Sequence, residues 1–148
     1  MIKKIVVRAC TKDDFWWVLE LLKQLWPKRN FITKDIKKTF NDAFKSSNQY
    51  YFCANIDENI IWFWSLNIKN WLYAMWKVAI LDELIVDNKY RKIWVAKTLV
   101  DFMIKFAKKE KCVCIELECG AEREAAHKFY EKYWFDKWNW YFFSIDLE

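Results

Sequence analysis

Arg91 and Lys92 close a polar loop, residues 87–92, that leads into an amphipathic helix beginning near Val95, with Ala96 in its first turn. The chemistry this spacing suits is phosphate binding. A helix start leaves its first backbone N–H groups unpaired and carries the positive end of the helix dipole. It therefore holds an anionic oxygen without a dedicated side chain. Arg91 and Lys92 add positive charge on the approach. The backbone of such a loop must come close to the phosphates, so glycine or alanine is favoured at the turn. Ala96 meets that need and Trp94 does not. The plain alternative is an ordinary strand-to-helix turn with no ligand.

Other residues that could do chemistry are few. Five cysteines (Cys10, Cys53, Cys112, Cys114 and Cys119) show no metal-ligand spacing, and His127 is the single histidine. The expectation is no metal, no cysteine nucleophile with a partner base, and reduced thiols of a cytoplasmic protein.

Trp94 belongs to a wider pattern. The chain has 11 Trp and 1 Gly in 148 residues, where average usage would give roughly ten glycines. Trp134 stands just past a helical run, where glycine commonly ends a helix. Trp71 and Trp76 flank a short connection, and Trp62 and Trp64 punctuate a strand. Two readings remain open: a genuinely Trp-rich protein, or a gene in which UGA encodes glycine, translated with a table that reads UGA as tryptophan. On the second reading residues 94 and 134 are glycine, while Trp26, placed inside a helix before Pro27, is a true tryptophan.

The elements that must position the loop follow from periodicity. Residues 5–7 read as a strand. Thr11 and the acids Asp13 and Asp14 open a helix, with Phe15, Val18, Leu19, Leu22 and Leu25 inward and Pro27 ending it. Thr33 opens a second helix with Ile36, Phe40 and Phe44 inward. Residues 50–55 and 60–68 form a hairpin about a turn at 57–59, and residues 69–71 turn the chain again. An apolar strand over 78–86 carries Asp82 and Glu83. The helix over 95–109 has Leu99, Phe102, Met103 and Phe106 as its apolar stripe. A strand over 113–117, a helix over 122–132 and a closing strand over 140–147 complete the order.

At 18.3 kDa, a single domain over 1–148 is expected. No apolar run reaches the roughly 18 residues of a membrane span. The start is too short and too soon polar for a signal peptide. The net charge of +5 favours anionic ligands mildly. The basic residues are scattered lysines, so nucleic-acid binding is not expected.

Arg91-x-x-Trp94-x-Ala96 resembles the acyl-CoA pyrophosphate motif of the GNAT superfamily of N-acetyltransferases, with Trp in place of its first glycine. Residues 126–135, Ala-His-Lys-Phe-Tyr-Glu-Lys-Tyr-Trp-Phe, resemble that superfamily's last motif, A-x-x-F-Y-E-K-x-G-F, again with Trp for Gly. The pair Glu83-Leu84 before the loop, and Ala126-His127 before Phe129-Tyr130, also look like those of aminoglycoside- and aminoalkylphosphonate-type acetyltransferases. The resemblance implies an α/β (α+β) fold with a mixed, mostly antiparallel sheet of six to seven strands and about four helices.

It also implies a mechanism. Acetyl-CoA, the co-substrate, would lie between the strand ending at Val86 and the strand over 113–117. Backbone groups of Leu84, Ile85 and Val86 would hold the pantetheine arm. Backbone groups of Arg91, Lys92, Ile93, Trp94, Val95 and Ala96 would hold the pyrophosphate. A primary amine of a small molecule would attack the thioester directly. Glu83 is the candidate base, with Asp82 the fallback on the opposite face of the strand. Tyr130 is the candidate acid toward the departing thiolate, its plain alternative being packing. Arg123 stands where the superfamily often carries an Asn that touches the cofactor, and could reach a phosphate instead. His127 reads as a surface or structural residue. A monomer or homodimer is expected. The competing functions are a GNAT-like module that binds acyl-CoA without turnover, favoured if Trp94 and Trp134 are genuine, and a basic interaction protein with no nucleotide site.

Overall fold

The structure, a computed structural model, describes residues 4–91, 95–133, 135–139 and 141–147. The chain forms two compact units, residues 1–118 and 119–148.

The first unit is built on a five-stranded sheet in the order β1-β2-β3-β4-β5. Its strands are β1 (Ile5–Ala9), β2 (Gln49–Ile56), β3 (Asn59–Trp71), β4 (Trp76–Val86) and β5 (Ile115–Leu117). The first four pair antiparallel, and β5 joins β4 in parallel. Three helices belong to this unit: α1 (Phe15–Leu25), α2 (Thr33–Ala43) and α3 (Val95–Lys109).

Sequence periodicity explains the layers. The apolar stripe of α1, Phe15, Val18, Leu19, Leu21 and Leu22, packs with Phe40 of α2 on the sheet face that carries Cys53, Phe63 and Ile85. The opposite face takes α3: Phe102 meets the rings of Phe52 and Trp64, and Ala107 packs with Ile68 and Ala79. Alternation along β3 sends successive side chains to the two faces, and because both faces are covered the strand reads as a nearly continuous apolar run.

The α3 helix ends as a Schellman motif. Cys112 N–H donates to Ala107 C=O at 2.9 Å and Lys111 N–H to Lys108 C=O at 3.0 Å. The residue that turns left-handed there is Lys111, with φ 60°, and not a glycine. Asp57 and Met75 are the other non-glycine residues with positive φ among the described residues, at 54° and 56°. No described tryptophan is among them, so a left-handed backbone is not what marks those tryptophans.

Several expectations need correction. The sheet has five strands among the described residues, not six to seven. Residues 141–147 form no strand. Their side chains Tyr141, Phe142, Phe143, Ile145 and Leu147 are exposed, and apolar content alone does not supply a pairing partner. The chain does not turn at 69–71: β3 continues to Trp71, which faces Trp76 across the hairpin, and the turn lies between them. Trp26 is the C-cap residue of α1 instead of an interior one, and its ring lies 6.4 Å from that of Phe31.

The second unit holds α4 (Glu124–Lys132), with Arg123 as N-cap. Phe135 N–H returns to the Tyr130 carbonyl at 3.1 Å.

Candidate functional site

Three side chains form a row across the centre of the sheet. Register sets Tyr51 of β2 beside Ser65 of β3, and Ser65 beside Glu83 of β4. The register between β3 and β4 then slips: Ser65 faces Glu83 while Leu66 faces Leu81. Asp82 is therefore the extra residue of a β-bulge. Bulges break the strict alternation of a strand and re-aim side chains. Asp82 is exposed and Glu83 is half-buried.

Ser65 is one of two buried polar side chains among the described residues, the other being Asp14. Its hydroxyl donates to Glu83 Oε2 and accepts from the Glu83 backbone N–H at 3.2 Å. Burial pushes the Glu83 carboxyl above its usual range, the Ser65 hydrogen bond pulls it back, and the Asp82 charge adds to the rise. Asp82, though its side chain is exposed, is raised by partial desolvation against the sheet and by the charge of Glu118, and lowered by Lys69. Tyr51 is pushed up to about 12 by burial and by the charges of Glu83 and Asp82. Glu83 is thus a carboxylate whose proton affinity is raised and whose orientation is fixed.

Beyond Glu83, β4 has a free edge. Its pairing with β5 covers Ala79 to Leu81 and stops there. Leu84, Ile85 and Val86 pair with β3 on one side and with no strand on the other among the described residues. Backbone polar groups on such an edge are open to an extended ligand, except that the Val86 carbonyl already accepts from Arg91 Nε.

The loop after β4 is tied down by α1. Asn88 N–H donates to Gln24 Oε1 at 2.9 Å, Asp87 accepts from the Gln24 amide at 3.5 Å, and Asp87 N–H reaches Ile61 C=O at 2.8 Å. Arg91 is exposed, and its Nε donates back to Val86 C=O at 3.2 Å. The described part of α3 runs Val95–Lys109, with Val95 and Ala96 at its N-terminal end. Lys92, Ile93 and Trp94 lie outside the described residues, as does Trp134. Free edge, tethered loop and helix start together fit an elongated ligand with an anionic end, the shape acetyl-CoA has.

The second unit carries the other expected residues. Tyr130 packs its ring against Phe129 and Phe135, with centroids 5.3 and 5.6 Å away. Burial, with a lesser push from Cys119, raises its phenol to about 12 against the pull of Arg123. Arg123 is exposed at the start of α4, its N–H on Gly120 C=O at 3.0 Å. His127 Nε2 donates to the same carbonyl at 2.9 Å, which gives the ring a structural task.

Residues 15–135 match the model of the acetyltransferase (GNAT) family. The chain belongs to that family. The GNAT chain is also 28% identical, over 145 residues, to an uncharacterized N-acetyltransferase of Methanocaldococcus jannaschii. That alignment covers 93% of this chain and 63% of the archaeal protein, so the chain spans about two-thirds of its relative's length or slightly less. In fold it resembles the aminoglycoside N-acetyltransferase AAC(6')-Iy, solved in complex with CoA: TM-score 0.86, 18% identity, 99% of this chain and 97% of the other. The aminoglycoside 6'-N-acetyltransferase AAC(6')-Ih of Acinetobacter baumannii gives TM-score 0.81 at 15% identity, over 98% and 100% of the two chains.

Sequence reasoning missed two residues of this candidate site. Ser65 had a visible signal, as the one polar residue within the apolar run 60–66. Gln24 had none, because its loop partners lie 63 and 64 positions away in the chain. A third cluster, Cys10, Asp14 and Cys53, brings its donor atoms within 4.8 Å of one another. Both Asp14 oxygens are already held by the Arg8 guanidinium, at 2.8 and 2.9 Å, so a metal there would have to displace an arginine.

Proposed function

We propose that this chain is an acetyl-CoA-dependent N-acetyltransferase acting on a primary amine of a small molecule, with residues 1–148 forming one GNAT domain. The observation that carries the reading is the adjacency, on one strand, of a held, half-buried carboxylate at Glu83 and a free backbone edge at Leu84–Val86. Acetyl-CoA supplies the acetyl group as an activated thioester.

This chain's residues would divide the work as follows. The backbone of Leu84, Ile85 and Val86 pairs with the pantetheine arm. Arg91, Lys92 and the N–H groups over Ile93, Trp94, Val95 and Ala96 receive the pyrophosphate. Arg123 adds a charge for a phosphate. Glu83, directly or through one water, takes a proton from the incoming ammonium, and its raised affinity brings it toward the working pH. Tyr130 returns a proton to the leaving sulfur. That role is supported by the likeness of residues 126–135 to the family motif and by a phenol that keeps its proton.

The test is the pH dependence of Glu83→Gln with an amine acceptor. General bases contribute about 10² to 10⁴-fold. The loss should be of that order near neutral pH and narrow as the amine deprotonates by itself. A uniform, small loss at all pH values would show that Glu83 is not the base.

A further inference from the structure

We propose that Ser65 is the positioning residue of the reaction, anchoring one oxygen of Glu83 so that the other is presented to the acceptor's proton. The inference rests on the reading of Glu83 as base.

Ser65 does two things at once. The bulge at Asp82 interrupts the β3–β4 ladder, and the Glu83 N–H finds its acceptor in the Ser65 hydroxyl at 3.2 Å. The same hydroxyl has one proton to give, and Glu83 Oε2 takes it. Glu83 Oε1 accepts no hydrogen bond among the described residues, so one oxygen is held and one is left to work. Anchoring a base by a second group is what sets its geometry. It also favours the ionised carboxylate, which opposes the effect of burial.

The groups that face Glu83 are few. Asp82 lies next to it on β4, and Tyr51 on β2 stays neutral with its phenol near 12. Lys69 of β3 acts on Asp82. The α1 residues turned to the sheet, Val18, Leu19, Leu21 and Leu22, carry no charge, and Glu20 and Lys23 pair with each other at the surface. On α2, Lys38 and Asp42 do the same. Ser65 is thus the neutral donor bonded to the Glu83 carboxylate.

The experiment is the pH profile of kcat/KM for one amine at saturating acetyl-CoA. The variants are Ser65→Ala, Ser65→Thr, Ser65→Cys, Glu83→Gln and Ser65→Ala/Glu83→Gln. Using one amine throughout leaves the enzyme as the source of any difference. Hydrogen bonds to charged groups correspond to a shift of about one pH unit or more. Ser65→Ala should move the acid limb up by about one unit, a roughly tenfold loss below it, with rates converging at high pH. Ser65→Thr should restore the profile. Ser65→Cys, which keeps the volume with a weaker donor, should fall between, and serves if the alanine variant does not fold. In the Glu83→Gln background the Ser65 change should have no pH-dependent effect. A Ser65→Ala loss that is equal at all pH values, beside a Glu83→Gln enzyme that has lost its limb, overturns this inference alone: Ser65 would only pin the bulge. A Glu83→Gln enzyme with an unchanged limb overturns the base reading and this inference with it.

Discussion

At the scale of single residues, the proposed proton roles rest on groups whose proton affinities burial raises. Tyr130 keeps its phenol proton through the working range because burial raises it to about 12. Tyr130→Phe removes only the hydroxyl and keeps the ring contacts with Phe129 and Phe135. It should lower kcat by about tenfold or more while acetyl-CoA affinity measured by calorimetry stays nearly unchanged. Full turnover at saturating substrate would leave Tyr130 a packing residue. The tryptophans pose a different question. Trp62 and Trp64 are 2% and 0% exposed, and both indole N–H groups are buried without a partner among the described residues. A buried orphaned donor costs about 1–3 kcal/mol, so tryptophan is a poor residue for either position. Trp26, by contrast, is partly exposed and in ring contact with Phe31. We expect mass spectrometry of native peptides to read glycine at 94 and 134 and tryptophan at 26. Tryptophan at both 94 and 134 would end the recoding hypothesis. If Trp94 is then genuine, Trp94→Gly should tighten acetyl-CoA binding by relieving a crowded pyrophosphate loop.

At the scale of elements, the shortage of glycine leaves a mark that stability can read. Lys111 occupies the left-handed position of the α3 Schellman motif, a conformation that costs an ordinary L-residue about 1–2 kcal/mol and glycine little. Lys111→Gly should therefore stabilise the protein by about 1 kcal/mol, raising the melting temperature by about 2–4 °C for a chain of this size. A lowered melting temperature would show that the lysine stem contributes more by packing than its backbone loses. The elements themselves were legible in the sequence where period and length agreed. The described part of α3 ends at Lys109 as predicted, and Phe15, Val18, Leu19 and Leu22 of α1 are buried as expected, with Leu21 added and Leu25 partly buried. Pairing was less legible. The bulge at Asp82 depends on register between strands, which no local pattern encodes. The absent closing strand shows the same limit, since apolar residues at 141–147 look like a strand whether or not an edge receives them. At the site, the loop and the carboxylate were visible as residue types in order. The Ser65 anchor and the Gln24 tether were hidden because they join strands and helices distant in sequence.

At the scale of the whole molecule, the net charge of +5 matches an anionic co-substrate, and among the described residues no helix is long and apolar enough to cross a membrane. Family membership supports the proposed acyl transfer, while the acceptor amine is left to residues outside any motif. The central claim is that this chain binds acetyl-CoA and passes its acetyl group to an amine. The most direct measurement mixes the protein with acetyl-CoA and a panel of small primary amines. It follows free thiol and N-acetylated product together, with calorimetry recording acetyl-CoA binding. The account predicts saturable binding, and thiol released one-for-one with acetylated amine at a rate that falls about 10² to 10⁴-fold in Glu83→Gln. Binding without thiol release from any amine would reduce the protein to an acyl-CoA-binding module, and no binding at all would contradict the account.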